Sequence, residues 1–121
     1  MINILVCDDD KDIVDAIEIY LAPEGYHILK AYDGIQAIEM MRSNDIQLFI
    51  MDVMMPRMDG IRATLKIREE SNIPIIILSA KTEDTDKIFG LNVGADDYVT
   101  KPFNSLELVA RVKSQLRSYT K

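Results

Sequence analysis

The chain has 121 residues, 48% of them hydrophobic, which is enough apolar material for one core and too little length for two. A formal net charge of -6 argues against unaided nucleic-acid binding, because a phosphate backbone demands a basic surface. A single cysteine, Cys7, excludes an intrachain disulfide and points to a reduced, buried thiol in a cytoplasmic protein.

In chain order, residues 4–7, 48–51 and 74–78 are short runs rich in Ile and Val, nearly continuous rather than alternating, and read as strands buried on both faces. Met1-Ile2-Asn3 lacks the basic flank of a signal peptide, so the fold is expected to start at once. Between the first two runs come a helix with Ile13, Ile17, Tyr20 and Leu21 at helical spacing, a weaker strand over 26–31 after Gly25, and a second helix with Ile35, Ile38 and Met41. A third helix is expected over about 59–70, a fourth over about 83–92, a fifth strand over 95–100, and a fifth helix over about 105–119 with Val109, Val112 and Leu116 inward. The longest apolar stretch, residues 73–78, is far short of the roughly 20 residues that cross a bilayer, so no membrane role is expected. Strict alternation of strand and helix implies parallel pairing with right-handed crossovers. The predicted fold is a flavodoxin-like, doubly wound α/β sandwich of three layers, with strand order 2-1-3-4-5, filling residues 1–121 as one domain.

Four of the strands hand over to polar residues of different chemistry: Asp8-Asp9-Asp10, Asp52, Ser79, and Lys101 followed by Pro102. Open parallel sheets bind ligands outside the carboxyl ends of their strands, where these residues fall. Asp8, Asp9 and Asp52 would repel one another unless a cation neutralised them, and oxygen-only donors suit Mg²⁺. Zinc or copper is a poor fit, because His27 and Cys7 are each solitary. Lys101 offers a fixed positive charge and Ser79 a hydroxyl, together a cradle for phosphoryl oxygens. Pro102 restrains Lys101 to extended geometry and so aims it back over the sheet edge.

The segments Ile4-Leu5-Val6-Cys7-Asp8-Asp9-Asp10, Ile50-Met51-Asp52-Val53-Met54-Met55-Pro56 with Asp59-Gly60, Leu78-Ser79-Ala80-Lys81, and Gly94 through Phe103 resemble the receiver domains of two-component response regulators. The resemblance covers the whole chain. It implies that Asp52 is the phosphoacceptor, that Asp8, Asp9, Asp52 and the Met54 backbone carbonyl hold Mg²⁺, that Ser79 and Lys101 contact the phosphoryl group, and that Tyr98 is the switch aromatic. Met54 and Lys81 match positions that tune loss of the phosphoryl group. The expected partner is a sensor histidine kinase, docking near the first helix, where Asp12, Val14 and Ile17 lie. The only catalysis expected is of the domain's own phosphorylation and dephosphorylation.

The last two expected helices and the strand between them look like the winged-helix (OmpR/PhoB) subgroup, whose receivers dimerise through this face. That implies partner-to-partner pairs of Lys87 with Glu107 and of Asp97 with Arg111, beside Asp96, with Ile88, Leu91 and Ala110 as an apolar centre. It also implies a C-terminal DNA-binding domain outside this chain, controlling transcription. Two alternatives stand beside it. The Asp-x-Asp spacing of Asp8 and Asp10 is that of Mg²⁺-dependent phosphatases of the haloacid dehalogenase type, though the chain is short for their cap; a stand-alone receiver without a DNA-binding output is the other. A nucleotide or flavin module lacks its Gly-rich loop, since Gly25, Gly34, Gly60, Gly90 and Gly94 are scattered.

Overall fold

The computed structural model describes residues 1–80 and 94–119. Its elements are β1 (Asn3–Cys7), α1 (Lys11–Leu21), a 3₁₀ turn (Ala22–Glu24), β2 (His27–Ala31), α2 (Gly34–Ser43), β3 (Leu48–Asp52), α3 (Gly60–Glu70), β4 (Ile75–Ala80), β5 (Asp97–Lys101) and a C-terminal helix (Ser105–Tyr119). The five strands are all parallel and run in the order β2-β1-β3-β4-β5, as the alternating pattern predicts. The fourth helix expected over 83–92 lies outside the described residues. No helix among the described residues is long and apolar enough to cross a membrane.

Because successive strand side chains point to opposite faces, each strand feeds two cores. Ile4, Val6, Ile50 and Leu78 pack under α1 and the C-terminal helix, while Leu5, Cys7, Met51 and Ile77 pack under α2 and α3. The helix stripes bury Ile17, Leu21, Ile38, Val112 and Leu116 as expected and differ at their remaining positions. Val14, Ile17 and Leu21 are buried in α1, with Ile13 and Tyr20 only at the margin beside Phe103. In α2 the buried residues are Gly34, Ala37 and Ile38, leaving Ile35 39% exposed; in the C-terminal helix they are Leu108, Val112 and Leu116 rather than Val109.

Aspartates start the helices that leave the carboxyl edge. Asp10, Asp33 and Asp59 cap α1, α2 and α3 by accepting from the backbone N–H of Asp12, Gln36 and Arg62 respectively. Gly60 permits the closest approach: its N–H donates to the Val53 carbonyl at 2.9 Å, and a Cβ there would fall on the Asp52 carbonyl oxygen. The Asp59-Gly60 pair thus brings α3 against the end of β3, and so fixes where Asp52 sits.

Candidate functional site

Four adjacent strands deliver the site. β1 ends at Cys7 and releases Asp8 and Asp9, Asp52 is the last residue of β3, Ser79 is the penultimate residue of β4, and Lys101 closes β5 ahead of a cis peptide bond to Pro102. Parallel register puts these ends side by side, so residues up to 93 positions apart meet. Asp8, Asp9 and Asp52 each offer a carboxylate oxygen within 4.8 Å of the other two. Lys101 Nζ donates to Asp8 Oδ2 at 2.8 Å and lies 3.1 Å from Asp52 Oδ1.

Burial and crowding govern the charges. Desolvation, followed by the field of Asp8, pushes the Asp52 carboxyl up to about 6, against the opposing pull of Lys101. Asp8 is also raised, chiefly by desolvation, although Lys101 and the Asp10 N–H at 3.0 Å stabilise its charged form. Burial disfavours the Lys101 ammonium, yet its bonds to Asp8 and Asp52 win and leave its pKa above the ordinary value. Among the described residues, the Lys101 ammonium is therefore shared by Asp8 and Asp52, with Asp9 as a third carboxylate beside them. Three convergent hard oxygen donors, two of them buried, fit a Mg²⁺-sized cation and leave coordination room on the exposed Asp9 side.

Ser79 lies within β4 rather than in a turn after it. Its hydroxyl is buried and has no hydrogen-bond partner among the described residues, an arrangement that costs about 1–3 kcal/mol unless an acceptor arrives. Asp10 caps α1 through one carboxylate oxygen, which accepts from Asp12 N–H at 3.0 Å, and it remains exposed. His27 pairs with Asn3 at the opposite edge, and Cys7 is buried with its thiol pushed up, mainly by desolvation and then by Asp33.

Other candidate residues divide. Tyr98 sits half-buried in β5 against the α2/α3 core, and Met54 is 63% exposed just beyond Asp52. Val14 and Ile17, expected near a docked kinase, are instead fully buried in the core; the outward residues of α1 include Asp12, Asp15 and Ile19. Asp96 is held inside its own chain by Arg68 and by the Ile75 N–H, and Asp97 pairs with Arg111 of the same chain at 2.8 Å, with Glu107 3.6 Å from Arg111. Ala110 lies on the exposed side of the C-terminal helix. Lys81, Lys87, Ile88 and Leu91 lie outside the described residues. Sequence reasoning missed Asp33, which is buried and paired with Arg57.

The family model for the response regulator receiver domain matches residues 4–113. The chain belongs to the response regulator receiver domain family. This receiver domain is 50% identical over 117 residues to the regulatory protein VanRc of Enterococcus gallinarum, covering 97% of the chain and 51% of that protein. It is 47% identical over 115 residues to the response regulator GtcR of Aneurinibacillus migulanus, covering 95% of the chain and 48% of the relative. The chain thus spans about half the length of the curated relatives it matches. Among solved structures, the Francisella response regulator 1452 receiver domain superposes with a TM-score of 0.91 at 38% identity, each chain fully covered. A two-component response regulator from Clostridium difficile gives 0.91 at 34% identity over 97% of both chains. Receiver domains of this kind serve phosphorelay signalling, interact with sensor kinases and are not enzymes in the ordinary sense.

Proposed function

We propose that this receiver domain takes a phosphoryl group onto Asp52 from a phosphohistidine of a sensor histidine kinase, with Mg²⁺ bound by Asp8, Asp9, Asp52 and the Met54 carbonyl. The observation that carries the reading is the meeting of Asp52 with two further carboxylates within 4.8 Å and with Lys101 at 3.1 Å. An Asp52 carboxylate oxygen attacks phosphorus; the bond from phosphorus to the histidine nitrogen breaks, and that nitrogen leaves with the electron pair. Bound Mg²⁺ would supply electrostatic stabilisation of the transferring oxygens. Lys101 steadies the same oxygens from the β5 side, keeping its ammonium through its contacts with Asp8 and Asp52.

The acyl phosphate brings acceptor oxygens to the one buried hydroxyl that has no partner among the described residues. Ser79 moves to them, and Tyr98, on the neighbouring strand, turns inward to transmit the change. A groove of about 440 Å³ beside Lys101, lined by Ile13, Ala16, Tyr20, Pro102 and Phe103 among others, is the surface we assign to the kinase. Its apolar lining suits a helix of a bundle.

For the output, we assign the domain to the winged-helix subgroup, with a C-terminal DNA-binding domain in the full protein, which would be cytoplasmic. Relatives about twice as long as the matched region support this. Phosphorylation would promote a two-fold dimer through the C-terminal helix, β5 and residues 83–92. In that dimer the Asp97–Arg111 pair, now made within the chain, would exchange across the interface, beside Lys87 with Glu107.

The test is incubation with acetyl phosphate and Mg²⁺, followed by intact mass and sedimentation. Wild type gains one phosphoryl mass and becomes dimeric, and Asp52→Asn gains nothing. A wild type that stays unlabelled would remove the central reading; a labelled monomer at tens of micromolar would remove only the dimer.

A further inference from the structure

The connection from β3 to α3, residues 53–59, carries Met54 and is fastened at both ends. At its root Val53 N–H donates to the Leu78 carbonyl at 3.1 Å and Gly60 N–H returns to the Val53 carbonyl at 2.9 Å. Its far side leans on the β2–α2 junction: Gly34 N–H donates to the Met58 carbonyl at 3.0 Å, and a Cβ at Gly34 would meet that oxygen at 2.6 Å.

Between these anchors stands Arg57, whose φ of 63° is in the left-handed region that glycine adopts freely and a side chain disfavours. Met58 N–H donates to the Pro56 carbonyl at 2.6 Å, closing a three-residue turn with Arg57 at its centre. The side chain there is engaged: Arg57 Nε donates to Asp33 Oδ2 at 2.9 Å, and Nη2 donates to the same oxygen. Asp33 is a firm post. Only 4% of its side chain is exposed, its other oxygen caps α2 through Gln36 N–H at 2.9 Å, and its carbonyl accepts from the Cys7 thiol at 3.2 Å. Cys7 in turn lies 3.4 Å from Met55 Sδ, so the loop touches β1 directly as well.

We propose that the Asp33–Arg57 ion pair is a positioning device for the divalent-cation site, holding the Met54 loop against the β2–α2 junction and thereby setting the affinity for Mg²⁺. The inference rests on the reading that Met54 and the aspartate cluster hold that ion. A built-in comparison exists, because Arg42 and Glu70 form a second ion pair between α2 and α3, at 2.6 Å, remote from the loop. It joins α2 to α3 by the same arginine–carboxylate chemistry, without touching the 53–59 connection or the metal site.

Mg²⁺ titration of the 121-residue chain, followed by backbone amide shifts, separates the two pairs; thermal unfolding in EDTA runs alongside. Arg57→Gly keeps the turn and removes only the clamp, so a folding defect cannot stand in for the effect. The expected result is Mg²⁺ binding weakened about three- to ten-fold in Arg57→Gly and Arg57→Ala, partly restored in Arg57→Lys, and changed less than about two-fold in Arg42→Ala. Adding Asp33→Asn to Arg57→Gly should weaken binding little further, since both remove one interaction. Wild-type affinity in Arg57→Gly, or an equal loss in Arg42→Ala, overturns the inference and leaves the site reading intact. A wild type that binds no Mg²⁺ overturns the site reading, and the inference falls with it.

Discussion

At the amino edge of the sheet, Arg68 donates to the carbonyls of Gly94, Ser71 and Ile73 and to Asp96, and Asp96 accepts in addition from Ile75 N–H. At the carboxyl edge, among the described residues, three carboxylates converge, two of them sharing the Lys101 ammonium, and a buried hydroxyl has no partner. Both edges gather polar groups from the ends of the same strands, yet one satisfies them within the chain and the other leaves them for something to arrive. The amino edge therefore stabilises the fold, and the carboxyl edge stores a demand for a cation and for an acceptor.

The largest effect expected from breaking this contrast is at the amino edge. Arg68→Ala takes the side-chain donor from three backbone carbonyls and from Asp96, which keeps Ile75 N–H, and should cost about 3–5 kcal/mol in urea unfolding, with the Mg²⁺ affinity of the surviving folded protein little changed. Somewhat less, about 2–4 kcal/mol, is expected for Gly60→Ala, whose Cβ meets the Asp52 carbonyl; here loss of phosphorylation should accompany loss of stability, because the clash displaces β3 itself.

Next comes a gain. The Asp52 carboxyl is raised from 3.8 to about 6 in the fold, so folding favours its protonated form. That contribution is fully present below the unfolded value near 4 and is lost as pH rises through about 6. In EDTA, Asp52→Asn should therefore match wild type at low pH and exceed it by about 1–3 kcal/mol at pH 7.5. Mg²⁺ should narrow that gap by stabilising wild type. A flat difference across pH would mean that the crowding at this edge is already relieved within the chain. The smallest effect belongs to Ser79→Ala. Since its buried hydroxyl has no partner among the described residues, removing it should raise stability by about 1 kcal/mol, while dimerisation with acetyl phosphate is lost. A net loss of stability would show the hydroxyl bonded in the resting state.

The carboxyl edge was the more legible of the two in sequence. Its residues follow apolar runs directly, and parallel topology carries every such position to the same edge, so Asp8, Asp52, Ser79 and Lys101 could be assembled without coordinates. The amino edge offered no such cue: Arg68 reads as one more polar residue of a helix, and its acceptors lie three to 28 positions away. The buried stripes were legible at Ile17, Leu21, Val112 and Leu116 but not at their first positions, where Val14 and Leu108 are buried instead of Ile13 and Val109.

Local pattern by itself determined the alternation of elements, the parallel sheet, and the set of chemical groups at its carboxyl edge, because strand burial and helix periodicity are written in neighbouring residues. Tertiary structure alone decided which polar groups are engaged within the chain and which are free to act. Asp10 is used as a helix cap, Asp97 is held by Arg111, Ser79 waits unpartnered among the described residues, and Arg57 bridges to Asp33 over 24 positions. Each of those outcomes depends on distances between segments remote in the chain, which hydrophobic periodicity does not encode.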